Sequence, residues 1–310
     1  MRNAFADEIT TLAVNDPRLV LLSGDIGNKL FDGFKAVDAS RFYNCGVAEA
    51  NMMGVAAGMA LSGLRPIIYT ITPFTTTRCF EQIRVDVCYH HVPVIIVGTG
   101  SGLSYAELGP THHSLEDMAI LRTLPGLCVL APADAIELRL LLRAALQQDR
   151  PVYFRIGKKG EPLIHTQLTE LSIGEAIVIK PGKDIALIAA GTILSEVIKA
   201  GEHLTQLGYE VEIISFPSIK PLDTAYLKQA NGRFKLLVTI EEHGIIGGLG
   251  SAIAEWQMQQ TTTPIPQLML GTPDEFMHEV GSQAYARDKY DLTTEKIVNR
   301  VLARLNGHLE

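Results

Sequence analysis

Short apolar runs alternate with helical patterns along most of this chain, and that alternation restricts the fold more than any other feature. One such run, Val92-Pro93-Val94-Ile95-Ile96-Val97, is apolar at every position. Near-continuous runs of this kind are typical of parallel sheets that are buried on both faces. The alternation predicts an α/β fold of two domains, each a mainly parallel sheet flanked by helices.

The length of 310 residues also favours two domains, because one core rarely serves so long a chain. Polar stretches at 157–162 and 180–183 interrupt the alternation. We therefore predict a first domain over residues 1–160, a linker over 161–180 and a second domain over 181–310. The predicted strands are 19–23, 66–70, 92–97, 127–131, 152–156, 185–189, 211–216, 236–240 and 267–270, and the predicted helices are 2–14, 48–61, 76–89, 115–123, 135–147, 194–207, 249–259 and 294–305.

Composition excludes several classes of protein. Hydrophobic residues make up 47% of the chain and charged residues 20%, a globular balance that argues against disorder. The net charge is -7 and there is no basic stripe, so a nucleic-acid partner is not expected. No apolar run is long enough to span a membrane, and the four cysteines lack zinc or Cys-x-x-Cys spacing. We expect reduced thiols and a cytoplasmic location.

Glu49 lies in an apolar setting that is unusual for a carboxylate. It is the only side chain charged at neutral pH between Arg41 and Arg65. A helix that is apolar on nearly every side is usually buried, and burial favours the protonated form of a glutamate. Such a group can exchange a proton with a ring nitrogen, which makes it a candidate for function. The alternative is an acid that interacts with the dipole at a helix N-terminus.

The segment Gly109-Pro110-Thr111-His112-His113-Ser114 follows a predicted strand, where α/β proteins place ligands. A histidine there can act as an acid, a base or an oxyanion partner, so His112 is a second candidate. The alternative is a turn or surface histidine. The sequence suggests no third ligand beside this pair, so we predict no metal site in the chain.

Weaker patterns add four candidates. Phe74 and Phe80 could clamp a planar heterocycle, although Phe80 would more often be core. Arg155 ends a predicted strand, where it could hold a phosphate or carboxylate or form an ordinary surface ion pair. Asp25 follows another strand, in a segment without a dinucleotide or P-loop fingerprint. The glycine-rich stretch 247–251 could cradle an anion or allow close packing of a helix on a strand.

Taken in order, these motifs resemble the C-terminal two-thirds of transketolase, from about Arg2 to the end of the chain. Gly46-Val47-Ala48-Glu49-Ala50-Asn51 resembles the activating-glutamate motif of the thiamine-diphosphate-dependent transketolase superfamily. Gly109-Pro110-Thr111-His112 is similar to its substrate-histidine loop, and segments 188–191, 216–218 and 241–248 look like its C-terminal domain. The resemblance implies a pyrimidine-binding fold followed by a transketolase C-terminal fold.

The resemblance also implies roles toward the cofactor. Glu49 would hydrogen-bond the N1′ nitrogen of the aminopyrimidine and so help to activate the thiazolium carbon. Phe74 and Phe80 match aromatic residues that pack on the pyrimidine, with Thr75 or Thr77 as the alternative at this position. Asp25 matches an acid near the thiazolium.

On the substrate side, the resemblance implies that His112 contacts oxygens of the donor and that Arg155 binds a substrate phosphate. Two positions depart from the family pattern. At the position of Leu108 the family commonly has an acid that binds a hydroxyl of the donor. At the position of Gly100 it often has a histidine that helps bind phosphate. We therefore expect an atypical substrate among the sugars and sugar phosphates, one without a terminal phosphate at the usual place.

The family holds the diphosphate through magnesium on a separate domain, with a Gly-Asp-Gly motif followed by an asparagine. Gly24-Asp25 is not that motif, because Asn44 follows at the wrong spacing. The resemblance therefore implies that a second polypeptide supplies the diphosphate half with Mg²⁺, in an assembly of two copies of each chain. The small residues at 54–60 would let a partner helix approach closely.

Three functions remain open at this point. The first is a split transketolase that moves a two-carbon ketol unit from a ketose to an aldose. The second is a β subunit of a 2-oxo-acid dehydrogenase or a deoxyxylulose-phosphate synthase-like decarboxylase, which the segment Glu241-Glu242-His243 favours. The third is a non-catalytic regulatory subunit, against which Glu49 and His112 argue.

Overall fold

Strands that are buried along their whole length set the layers of the fold. The computed structural model describes residues 1–27 and 29–307. The strands are β1 Leu19–Ser23, β2 Phe42–Asn44, β3 Arg65–Ile71, β4 Ile95–Thr99, β5 Cys128–Leu130, β6 Val152–Ile156, β7 Ile177–Lys180, β8 Ile185–Ala190, β9 Val211–Ser215, β10 Ser218–Lys220, β11 Leu236–Gly244 and β12 Gln267–Thr272. The helices are α1 Arg2–Asn15, α2 Asp32–Val37, α3 Glu49–Leu61, α4 Thr72–Thr75, α5 Phe80–Gln82, α6 Asp117–Arg122, α7 Ala135–Leu146, α8 Leu194–Gln206, α9 Thr224–Ala230, α10 Leu249–Met258, α11 Gln283–Lys289 and α12 Thr294–Leu305.

The first sheet has seven strands in the order β10-β5-β6-β4-β3-β1-β2. All neighbours are parallel except β10 and β5. Helices cover both faces, with α1 and α7 packed on one face and α3 on the other. This double cover explains why β1, β4 and β6 are buried at every residue.

The second sheet has five strands in the order β12-β11-β8-β9-β7, parallel except for β7 against β9. Its core joins β8, β9 and β11 to α8 and α12. The α/β prediction, with two mainly parallel sheets flanked by helices, is confirmed by this architecture.

The connection between the two sheets differs from the predicted linker. Residues Ile177–Lys180, inside the predicted stretch 161–180, form β7 of the second sheet. Earlier in the same stretch, Leu168 and Leu171 pack into the core of the first sheet. The chain also returns to the first sheet, where β10 pairs with β5. We call each sheet with its flanking helices a unit. β10, from the part of the chain that forms the second unit, thus belongs to the sheet of the first unit. The polar segments of the sequence could not predict this exchange.

The single helix predicted at 76–89 is broken in the structure. A 3₁₀ turn at Thr77–Cys79, α5 and a π-helical segment at Ile83–Tyr89 replace it, directly after the short helix α4. The hydroxyls of Thr75 and Thr76 donate to Thr72 O at 3.0 and 2.8 Å, and back-bonding of this kind bends helices. The break leaves residues 74–78 at the edge of the first sheet.

A buried ion pair joins the two units. Asp117 accepts hydrogen bonds from Tyr153 Oη at 2.7 Å and Arg155 Nε at 2.9 Å. Arg155 Nη2 donates to Ser114 O at 2.7 Å and to Glu242 O, on β11, at 2.6 Å. Burial works to raise the pKa of Asp117, but the charge of Arg155, with His243 and Tyr153, outweighs it and holds the pKa below its usual value. The pair thus stabilises the fold at neutral pH and loses this contribution as the pH falls through the acid range.

Replacing Asp117 by Asn keeps the side-chain shape and leaves Arg155 buried without a counter-ion. We expect the free energy of unfolding at pH 7 to fall by about 3–5 kcal/mol in urea denaturation, the usual effect of removing one partner of a buried pair. Asp149→Asn is the matched control, because Asp149 pairs with Arg65 while 91% exposed and should change stability little. Unchanged stability of Asp117→Asn would contradict the role given to the pair.

Candidate active site

Several of the predicted site residues lie at one edge of the first sheet. Because β1, β2, β3, β4 and β6 are parallel, their carboxyl ends meet there, and open α/β sheets bind ligands at such an edge. The segments that follow these strands carry Asp25, Glu49, Phe74, His112 and Lys158 in turn.

Glu49 is the first residue of α3 and is 3% exposed. The helix buries only one face, which includes Met52, Met53 and Ala56, so it is not enclosed on every side as its composition suggested. Glu49 is buried because it faces the sheet edge. Arg78 Nη1 donates to Glu49 Oε2 at 2.9 Å. This counter-ion could not be predicted from the local motif, because Arg78 lies 29 residues from Glu49 in the chain.

Arg78 links the glutamate to an aromatic ring. The guanidinium carbon of Arg78 lies 4.0 Å from the ring centroid of Phe74, a cation–π contact. The Arg78 side chain is 47% exposed, whereas Phe74 is half-buried. The acid, the guanidinium and the ring therefore form a continuous layer along the edge.

His112 meets the other side of this layer. Its ring centroid lies 5.2 Å from that of Phe74 and 5.9 Å from that of Tyr105, both in edge-on contact. Burial lowers the pKa of His112, the charge of Arg78 acts in the same direction, and Glu107 opposes them. The ring is therefore mainly neutral at pH 7, when it can donate one hydrogen bond and accept another.

Three residues that the sequence analysis missed complete the edge: Arg78, Tyr105 and Lys158. Lys158 Nζ lies 4.3 Å from the ring centroid of Tyr105 and 2.5 Å from Glu107 Oε1. The position of Lys158, two residues beyond the end of β6, was the available signal. We call Glu49, Arg78, Phe74, His112, Tyr105 and Lys158 the edge cluster.

The other predicted cofactor residues are placed differently from one another. Asp25 is exposed next to the edge and accepts from Asn44 Nδ2 at 3.2 Å. Thr77 is exposed, and its hydroxyl donates to Pro73 O at 2.9 Å. Phe80 packs against the core, so the structure does not bring it together with Phe74.

Arg155 is not positioned for the predicted phosphate contact. It is 2% exposed, and its Nε and Nη2 groups are bonded to Asp117, Ser114 and Glu242 as described above. Residues alternate between the two faces of a strand, and Arg155 points from β6 into the junction of the two units. Lys158, three residues further along the chain, lies at the edge instead, beside the ring of Tyr105.

Gly100 and Leu108, the two positions that depart from the family pattern, both lie close to the His112 loop. Gly100 has a φ of +79°, and an added Cβ would lie 2.0 Å from the ring of Tyr105. A histidine cannot fit at position 100 while Tyr105 fills that space. Leu108 ends a short 3₁₀ turn and is 49% exposed, close to the loop that carries His112.

The glycine-rich start of α10 is occupied by the protein itself. Glu241 accepts from the N–H groups of Leu249 at 2.8 Å and Gly250 at 2.9 Å. Burial raises the pKa of Glu241 to about 7, although these two backbone groups act to lower it. A Cβ at Gly248 would lie 2.1 Å from Glu241 Oε2. The helix end is thus capped by an internal carboxyl group rather than offered to an anion.

Within residues 1–27 and 29–307, no group of three or more His, Cys, Asp or Glu side chains is arranged to hold a metal ion. In that same part of the chain, no helix combines the length and apolar character needed to cross a bilayer.

Comparison with protein families gives two matches that together span both sheets. Residues 1–161 match the transketolase pyrimidine binding domain. Residues 174–297 match the transketolase C-terminal domain.

Individual relatives match over nearly the whole chain. An apulose-4-phosphate transketolase subunit from Phocaeicola vulgatus is 33% identical over 304 residues, covering 97% of this chain and 96% of that protein. The 6-deoxy-6-sulfo-D-fructose transketolase subunit SqwH from a Clostridium species is 33% identical over 299 residues, with 96% and 92% covered. The 1-deoxy-D-xylulose-5-phosphate synthase of Dechloromonas aromatica is 34% identical over 306 residues and 97% of this chain, which spans only 48% of that enzyme.

A solved structure described as a split gene transketolase, inactive beta4 tetramer, is similar to this chain with a TM-score of 0.88 at 33% identity. The match covers 98% of this chain and 97% of that one. The chain therefore belongs to the transketolase family, as a subunit of the split kind that carries the pyrimidine-binding and C-terminal domains.

Proposed function

We propose that this chain forms the aminopyrimidine-binding side of a thiamine-diphosphate-dependent transketolase site. The assembled enzyme transfers a two-carbon ketol unit from a ketose donor to an aldose acceptor. The observation that carries the proposal is the buried carboxyl group of Glu49 at the ligand-binding edge, next to Arg78 and the ring of Phe74. Thiamine diphosphate, when bound, supplies the electron sink that this transfer needs.

The side chains of the edge cluster suit a flat heterocycle with ring nitrogens. The carboxyl group of Glu49 is buried at this edge and can form a hydrogen bond with a ring nitrogen. Phe74 offers an apolar plane against which another aromatic ring can pack. In this proposal Glu49 holds the proton at the pyrimidine and Phe74 sets the plane of the ring. Asp25 is the proposed acid on the thiazolium side.

Arg78 must release Glu49 when a ring nitrogen takes its place. Its guanidinium is about half exposed, so it can turn toward solvent without being buried elsewhere. The ring nitrogen would replace Arg78 as the hydrogen-bond partner of Glu49, so the buried carboxyl group would not be left unpaired. Arg78 therefore pairs with Glu49 before the cofactor binds, and it can leave when the ring nitrogen takes its place.

His112 and Lys158 are the groups that we assign to the substrate. The neutral ring of His112 can donate to or accept from a sugar oxygen. Lys158 can pair with an anionic group on the far end of the sugar. Both named transketolase relatives act on sugars that carry such a group, a phosphate in one and a sulfo group in the other. We therefore propose a ketose with an anionic substituent as the donor.

We further propose that a second polypeptide holds the diphosphate and Mg²⁺, in an assembly with two copies of each chain. α3 exposes the apolar side chains of Val55 and Leu61, and the π-helical segment beside it exposes Tyr89. Val47, two residues before α3, is also exposed. An exposed apolar surface of this kind is typical of an interaction site. The four free thiols support the proposed cytoplasmic location.

The match to a deoxyxylulose-phosphate synthase supports one alternative, in which the donor is a 2-oxo acid. That reaction releases carbon dioxide, whereas ketol transfer between sugars does not. Carbon dioxide release from pyruvate by the assembled enzyme would favour this alternative.

Glu49→Gln tests the proposed role of the buried Glu49 carboxyl group. We expect the assembled enzyme to lose at least about a hundredfold in kcat, because a positioned proton-transfer group contributes roughly 10²–10⁴-fold. A coupled assay with a ketose donor measures the loss. Glu81→Gln is the control, because Glu81 is exposed and pairs with Arg84. Wild-type turnover by Glu49→Gln would favour a regulatory subunit.

The requirement for a partner can be tested by reconstitution. The purified chain with thiamine diphosphate and Mg²⁺ should neither bind the cofactor tightly nor turn over, because in this proposal the partner supplies the diphosphate half of the site. Adding a polypeptide with the Gly-Asp-Gly motif should restore both, as measured by calorimetry and the coupled assay. Turnover by the chain alone is the contrary result.

Lys158→Met tests the anionic donor. We expect KM for a ketose phosphate to rise about tenfold with little change in KM for the corresponding uncharged ketose, since one charge-assisted bond is removed. Lys159→Met, next in the chain and exposed, is the control. Equal increases of KM for both sugars would contradict a charge-reading role.

A further inference from the structure

The loop that carries Tyr105, Glu107 and His112 is closed at its base. Gly102 and Ser114 form an antiparallel bridge, in which Ser114 N donates to Gly102 O at 3.0 Å. We call these two residues the neck of the loop. The position of His112 at the edge cluster depends on how the neck is held.

The second unit holds the first side of the neck. Glu242, at the end of β11, is 1% exposed. Its Oε2 accepts from Leu103 N at 3.4 Å. A Cβ at Gly102, where φ is +60°, would lie 2.6 Å from the same oxygen. The neck therefore lies directly against the Glu242 side chain, and only glycine allows this approach.

Two residues of α11 fix Glu242 in turn. Gln283 Nε2 donates to Glu242 Oε1 and Oε2 at 3.0 and 3.1 Å, and Arg287 Nε forms an ion pair with Oε1. A buried carboxylate with this many donors has few alternative positions. Gln283 also lies 3.5 Å from the hydroxyl of Ser104, inside the loop.

The second side of the neck is tied to the same residue. Arg155 Nη2 bridges Ser114 O and the main-chain carbonyl of Glu242. Glu242 thus holds Leu103 through its side chain and Ser114 through Arg155. No residue of the second unit belongs to the edge cluster, yet the second unit fixes both ends of the loop that carries His112.

We propose that Glu242 is a positioning residue, through which the C-terminal unit sets the orientation of His112 and so governs sugar binding. The proposal deepens the function proposed above and rests on it only for the catalytic readout. Interdomain attachment alone predicts a general loss of stability, whereas positioning predicts a local effect on residues 103–113 and on KM.

Hydrogen–deuterium exchange on the full chain tests the local effect without any catalytic assay. In Glu242→Gln we expect amides in 103–113 to exchange about tenfold faster, as expected for the loss of one charge-assisted bond, while amides in α3 stay unchanged. Glu255→Gln is the matched control, because it removes the exposed Arg122–Glu255 ion pair, which also joins the two units. Unchanged exchange in 103–113, or equal acceleration throughout the chain, would overturn the proposal.

The reconstituted enzyme supplies the second readout. We expect Glu242→Gln to raise KM for the ketose donor about tenfold and to leave the Kd for thiamine diphosphate within about twofold, since Glu49 and Phe74 lie outside the loop. Gln283→Ala, a milder change on the half-exposed α11, should shift both readouts in the same direction and serves if Glu242→Gln does not fold. An unchanged KM in a variant with faster loop exchange would also overturn the proposal. If wild type shows no turnover, the proposed function fails, and the exchange result still decides whether Glu242 holds the loop.

Discussion

The buried pair of Arg155 and Asp117 is the interaction on which the arrangement of this molecule depends. Each charge would be unfavourable alone in an apolar junction, and together with Tyr153 they satisfy one another. Nη2 of Arg155 also donates to one carbonyl group from each of the two units. The same guanidinium therefore fixes the relation of the two sheets and the base of the loop at the ligand-binding edge. Arg155 therefore has a structural role, although its position at the end of a strand is typical of an arginine that binds a ligand.

Sequence patterns were sufficient to predict the strands that are most deeply buried. The mainly apolar runs predicted at 19–23 and 152–156 became β1 and β6, and the run predicted at 92–97 overlaps β4. Strands that are buried on both faces carry such near-continuous apolar runs, which are readily recognised in a sequence. β2 was missed because two of its three residues are exposed, and the break at 72–89 was missed because threonine back-bonding competes with helical periodicity. Short-range signals do not record which strand a later segment joins, so β10 was also missed.

At the candidate site, the sequence identified single residues better than their partners. Glu49 and His112 stood out from their local motifs. Arg78 and Lys158 did not, because their relevance comes from contacts with Glu49 and Tyr105 that only the folded chain creates. Whether Arg155 or Lys158 reaches the ligand-binding edge depends on the direction in which each side chain points from β6 and the residues just after it. All five residues of β6 are buried, so their pattern does not indicate that direction.

The close approach of Gly102 to the Glu242 side chain has an evolutionary consequence. A side chain at position 102 would overlap the carboxylate at position 242, so the two sites cannot diverge independently. A lineage that abandoned the glycine would need a shorter residue at 242 and another way to neutralise Arg287. Paired replacement at these two positions is thus the pattern of variation that the packing permits, even though they belong to different units and lie far apart in the chain.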